Sequence, residues 1–189
     1  MDMLAGLPLI LFGSGTLMWD PCQGYLRVPG PDNPVPGSET GAAMQYSEGR
    51  IGRVFVVRFD EGEDLLAGLR RFLAERKVRT GYLMVLGALH EGRLVTGPEK
   101  AVIPPVPHWE TASGGWEVLG VATVYPDEQG EPALHLHATA GRGRDTLTGC
   151  LREVARVYLV VEAIVVELEG ISFRRRHDPS TGLHLPEPA

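Results

Sequence analysis

The spacing of apolar positions along the chain predicts one firm helix among several strands. Val54, Phe55, Val56, Val57 and Phe59, interleaved with Arg53 and Arg58, form a β-branched and aromatic run that predicts a largely buried strand over 52–60. The next segment opens on acids (Glu61, Glu63, Asp64) and closes on cations (Arg76, Lys77). Its Leu65, Leu66, Leu69, Phe72 and Leu73 share one face at helical spacing, which suits an amphipathic helix and its macrodipole. Beyond it, 80–89 is apolar, and Glu91-Gly92 ahead of Arg93-Leu94-Val95 predicts a tight reversal closing a hairpin. Prolines at 98, 104, 105 and 107 between Gly97 and Gly115 predict an edge segment and a long loop. Strands over 116–125 and 133–140, joined by the turn residues Pro126 to Gly130, make a second hairpin. A Gly-Arg loop at 141–146 precedes Val157 to Leu168, whose valines predict the central strand even with Glu162 and Glu167 inside it. About seven strands, one main amphipathic helix and no helix–strand alternation predict an α+β domain on a largely antiparallel sheet.

Composition bounds this picture. The chain has 189 residues, 43% hydrophobic and 22% charged, which is globular rather than disordered and long enough for an ordinary core. A Pro/Gly-rich stretch makes residues 1–48 an N-terminal arm, leaving 49–189 as the domain. Met3 to Trp19 lacks charge, but Pro8 and glycines interrupt it and no cation precedes it, so neither a secretory nor a membrane segment is expected. Cys22 and Cys150, far apart, read as free thiols of a reducing, cytoplasmic compartment. The net charge of −6 gives no general attraction to phosphate, so nucleic-acid binding requires a local basic patch. Of that charge the arm takes the larger part, with Arg27 alone against Asp2, Asp20, Asp32, Glu39 and Glu48.

Candidate chemistry centres on His135-Leu136-His137. Residues two apart on a strand point to one face, so both imidazoles project together. Cys150 follows beyond a glycine-rich turn that can bring the chain back, and two imidazoles with a thiolate form a ligand set that zinc accepts, with one position open. Such a pair is also what a solvated strand face carries, and a free Cys commonly packs as a small hydrophobe. Arg142 and Arg144, near Arg152, are candidates for holding a carboxylate or phosphate, as is the run Arg174-Arg175-Arg176 beside His177; solvated surface charge is the plainer reading. Glu117 and Glu162 are candidate general bases, or edge and interface residues. The chain has no P-loop, no Gly-x-Gly-x-x-Gly and no nucleophile elbow.

Taken in order, Gly52-Arg53-Val54-Phe55, Gly62-Glu63-Asp64-Leu65-Leu66, Gly81-Tyr82 to Gly87-Ala88-Leu89, Gly115-Trp116-Glu117-Val118-Leu119, Leu134-His135-Leu136-His137-Ala138 and Val161-Glu162 resemble the plant and prokaryote conserved (PPC) domain over about 50–185. This domain occurs in plant AT-hook nuclear-localised proteins and in stand-alone bacterial and archaeal proteins labelled as DNA-binding. The resemblance implies a homotrimer, a DNA-binding or regulatory module with a DNA or protein partner and no membrane, and a zinc site of three histidines. The third histidine of the family falls in a Gly-Gly-His-Leu segment, and here Gly149-Cys150-Leu151 follows Thr148, so cysteine stands in its place. The fold superfamily is also similar to acetolactate decarboxylase, which implies an alternative: a metal-dependent lyase- or hydrolase-like enzyme acting on a small carboxylate or keto acid.

Overall fold

The computed structural model describes residues 44–189, together with the backbone of one short antiparallel ladder, Met18–Asp20 (β1) with Tyr25–Arg27 (β2). Compact units comprise Met1–Met44 and Gln45–Ala189. Apart from that ladder, the expected arm up to residue 43 lies outside the described residues, as does Cys22.

The larger unit runs β3 (Arg50–Asp60), α1 (Leu65–Arg76), β4 (Gly81–Pro98), β5 (Pro107–Pro126), β6 (Pro132–Arg142), β7 (Asp145–Glu169), β8 (Phe173–Asp178) and β9 (Leu183–Pro188). This is the expected α+β architecture. The main sheet has the order β3-β7-β4-β5-β6, every pairing antiparallel, and β6 also pairs with β7. That extra pairing joins β4, β5, β6 and β7 into a closed circuit, with β3 on the outer side of β7. A separate hairpin, β8–β9, ends the chain.

The helix forms where its pattern predicts. Asp64 caps it by accepting from the Ala67 N–H at 2.8 Å, and Lys77 ends it in the left-handed region at φ 55°. Leu65, Leu66, Leu69 and Leu73 are buried in the core with Phe59, Leu83, Val85, Val124, Leu136, Val157, Val161, Ala163 and Val165. Burying a leucine side chain contributes about 2 kcal/mol, so this helix face and the inner sheet face hold one another in place. The Gly62 and Val157 N–H groups donate to Val157 and Glu63 carbonyls at 3.0 and 2.9 Å, stitching the approach to the helix onto β7.

The opposite sheet face is apolar as well. Val54 and Val56 on β3, Met84 and Leu86 on β4, Leu119 and Val121 on β5 and Ile164 on β7 are all exposed, Val56 by 75%. Pairings align Val56, Ile164, Met84, Val121 and His137 across the sheet in a single row.

Three expected breaks are corrected. Glu91-Gly92 does not reverse the chain; β4 continues to Pro98, with a register shift between Leu89 and Glu91. That shift faces Gly114 and Gly115, whose φ values of 87° and 85° absorb it as a bulge within β5. The loop expected between Gly97 and Gly115 shrinks to 99–106, because Pro98 and Pro107 face each other at the strand ends while Pro104 and Pro105 stay outside. The 141–146 loop contracts to Gly143-Arg144, and β7 starts at Asp145.

At Gly87 the chain has φ 144°, and a Cβ there would collide with the Val160 carbonyl and lie 2.7 Å from Val161 Cα. Gly87→Ala is expected to cost about 2–3 kcal/mol or more in urea unfolding. Gly62→Ala, at φ 81° in open space, is expected to cost only about 1 kcal/mol. Equal losses for the two variants would contradict the close approach of β4 to β7.

Candidate metal centre

Strand period and hairpin register bring the candidate ligands together. On β6, Leu136 points into the core while His135 and His137 project from the other face. Asp145 opposes Arg142 across the Gly143-Arg144 turn, and counting back along both strands sets Cys150 directly opposite His137. Gly143 has φ 62° at the first central position, as a two-residue II′-type turn requires. Gly149 lets β7 pass against β4, since a Cβ there would collide with the Val95 carbonyl.

The ligand atoms of His135, His137 and Cys150 lie within 4.8 Å of one another. The two Nε2 atoms are 3.2 Å apart, with the rings edge to face at 4.8 Å between centroids. A tetrahedral zinc with ordinary bond lengths needs about 3.4 Å between two nitrogens and about 3.6 Å from nitrogen to sulfur. The imidazole spacing already meets this, and the donor chemistry is what zinc prefers. Among the described residues no other group of His, Cys, Asp and Glu converges in this way.

The surroundings are cationic. Arg175 on β8 is only 7% exposed; its Nη2 donates to Thr123 Oγ1 at 2.9 Å and its Nη1 to the His184 carbonyl at 3.2 Å. Thr123 is the β5 partner of His135, so this guanidinium sits beside the imidazoles. Burial, then Arg175, His137 and Arg152, lower the His135 pKa to about 4, leaving a neutral ring suited to ligation. Burial pushes the Cys150 thiol up, against the pull of Arg152 and Arg175, so a metal would displace its proton on binding.

The other candidates stand elsewhere. Arg142 donates to the Ser113 carbonyl at 3.1 Å, and Arg144 is exposed in the turn. Both are five or more residues along the hairpin from His137, roughly 16 Å or more of strand. Glu117 is exposed on β5, roughly 13 Å along the strand from Val121, the partner of His137. Glu162 is exposed opposite Leu86 and Arg58, at a level where β4 and β5 separate it from β6. Arg174 and Arg176 lie near Glu187 at 3.1 and 3.5 Å, in the solvated role expected of surface charge. The cations at the cluster are thus Arg152 and Arg175. Strand alternation was the available signal for Arg175: in β8 it points inward between two outward neighbours.

Residues 46–169 match the Plants and Prokaryotes Conserved (PCC) domain. The chain belongs to this family. All three candidate ligands of the PCC domain fall inside the matched stretch, whereas Arg175 lies beyond it. Among solved structures, the chain is similar to a PPC protein of Pyrococcus horikoshii, with 25% identity, TM-score 0.66 and coverage of 77% of this chain and 99% of that one. A metal-containing protein of Archaeoglobus fulgidus shares 23% identity at TM-score 0.66, covering 75% and 98%. A provisionally named DNA-binding protein of Ralstonia eutropha JMP134 shares the fold at 17% identity and TM-score 0.59, covering 71% and 90%. No curated protein matches. Among the described residues of this PCC-family chain, no helix is long and apolar enough to cross a membrane.

The depressed His135 pKa makes metal-free stability depend on pH. With about 4 in the fold against 6.5 as the ordinary value, the unfolded chain binds the proton first. Stability is therefore complete above about pH 6.5 and is lost as pH falls toward 4, by on the order of 1 kcal/mol given the ring's partial exposure. Urea midpoints of metal-stripped protein at pH 7, 5.5 and 4.5 should show this slope, and His135→Gln should reduce it.

Proposed function

We propose that this PCC-family chain is a zinc-holding module that assembles as a homotrimer and binds DNA in a regulatory role. The observation that carries the metal part is the convergence of the ligand atoms of His135, His137 and Cys150 within 4.8 Å, with the two nitrogens 3.2 Å apart. The name of the Archaeoglobus relative, a metal-containing protein, supports the same reading. Two imidazoles and a thiolate would hold the ion; when bound, it would supply a Lewis-acidic position beside the strands. His135 is already neutral for that purpose, and Gly149 and the hairpin register keep the sulfur opposite His137.

Support for self-assembly comes from the exposed apolar row of Val56, Ile164, Met84 and Val121. A continuous apolar face of this kind is covered in soluble proteins. His137 continues the row, so an assembly through this face would bring its boundary to the metal centre. Support for DNA comes from a local reversal of charge. Arg70, Arg71, Arg76, Lys77 and Arg79 are exposed on and just after α1, with Glu75 as the acid among them. This is the basic patch that a chain of net charge −6 needs.

Native mass spectrometry of protein purified without added zinc should find three chains and one zinc per chain; His135→Ala should lower the zinc to below about a tenth of an equivalent. A monomer, or zinc content untouched by that substitution, contradicts the corresponding part of the reading. For duplex DNA, about five phosphate contacts predict a slope near −4 to −5 in log affinity against log salt, flattened in Arg70→Glu/Arg71→Glu. Absence of binding at about 50 mM salt removes the DNA role.

A further inference from the structure

The charges around the candidate metal centre are of one sign, and one of them is buried without a counter-charge. Arg175 is 7% exposed, and its Nε has no hydrogen-bond partner. Its neighbours are the Thr123 hydroxyl, the His184 carbonyl and the ring of Tyr125, with Cζ 5.8 Å from the ring centroid. Among the described residues no carboxylate lies within 4.0 Å of the guanidinium of Arg175, of Arg152 or of Arg70. Buried charges are ordinarily paired, because the cost of removing them from water is otherwise not offset. A divalent metal would add to the surplus, since the thiolate of Cys150 cancels only part of its charge.

Two of these cations, Arg70 and Arg152, also frame a small cleft that Arg175 does not line. Arg70 and Leu66 from α1, His135 from β6, and Cys150, Leu151 and Arg152 from β7 line it, where β6 and β7 part company beyond the His137–Cys150 pair. Its volume of about 10 Å³ admits one water-sized group. A ligand that satisfies both the charge and the space is a small oxyanion, with one oxygen entering the cleft and the remainder outside.

We infer that Arg175 and Arg152 form an oxyanion site at the metal centre, binding a carboxylate or phosphate group. Arg152, on the cleft, supplies the exposed positive charge, and Arg175, outside the lining but beside His135, supplies the buried one. The open metal position offered to the anion rests on the zinc reading above; the guanidinium pair does not. This site differs from the Arg142/Arg144 pair expected from the sequence, which lies at the far end of the hairpin.

The test is calorimetric titration of the full chain, zinc-loaded and metal-stripped, with sodium phosphate and with sodium acetate at constant ionic strength set by chloride. Saturable binding of phosphate or acetate is expected, at least tenfold weaker in Arg175→Gln and Arg152→Gln and unchanged in Arg58→Gln. A preference for phosphate identifies phosphoryl ligands, and a preference for acetate identifies carboxylic acids. Arg152 is exposed, so its variant keeps the test valid if Arg175→Gln fails to fold. No saturable binding in either form, or equal affinity in wild type and Arg152→Gln, overturns the proposal. Zinc measured on each sample separates the two readings: a full equivalent of zinc without anion binding sinks the oxyanion site alone, whereas anion binding without zinc uptake upholds it and sinks the zinc reading.

Discussion

The register of one hairpin decides whether the candidate ligands meet. Gly143-Arg144 sets Arg142 against Asp145, and from there every opposition along β6 and β7 is fixed, His137 against Cys150 included. A slip of one residue would turn the sulfur to the other face of the sheet and set Gly149 or Leu151 opposite the imidazole. Two features hold the register. Leu136 and Ala138 are locked in the core by burial, and Gly149 allows a backbone approach to Val95 that no other residue permits. The site is thus held by apolar packing and backbone geometry, and the ligands themselves contribute little to keeping it open.

That arrangement explains why part of the site was legible in the sequence. His-x-His on a strand carries its own geometry, since the period of two needs no further information. Cys150 was legible because glycines between it and His137 announced a return of the chain. The helix was legible through Leu65, Leu66, Leu69 and Leu73 and the cap at Asp64. The guanidiniums were harder. Arg175 sits in a run of identical residues, and only the alternation of a short strand separates the inward one from its neighbours Arg174 and Arg176. Its position depends on how the β8–β9 hairpin meets Thr123, a contact between residues 52 positions apart that no local pattern encodes.

Errors in strand limits have a related cause. Glycine marks turns and bulges alike, so Gly92, Gly114 and Gly115 read as interruptions when the ladder in fact runs through them with a shifted register. Proline marks strand ends as well as loops, and Pro98 and Pro107 are a facing pair at the end of the β4–β5 ladder. The first half of β7 was missed because Thr146 to Arg156 mixes small, polar and charged residues. It is recruited as strand by its neighbours β6 and β4, whose hydrogen-bonding edges it satisfies.

The candidate ligands and the buried cation beside them come from different stretches of the chain. His135, His137 and Cys150 lie within residues 46–169, and Arg175 reaches them from a terminal hairpin beyond that span. The two contributions can therefore drift independently: substitutions in the tail would alter the charge beside the cluster while leaving the spacing of the three candidate ligands intact. The charge at the cluster is in this architecture an attachment to the shared body, open to change without rebuilding it.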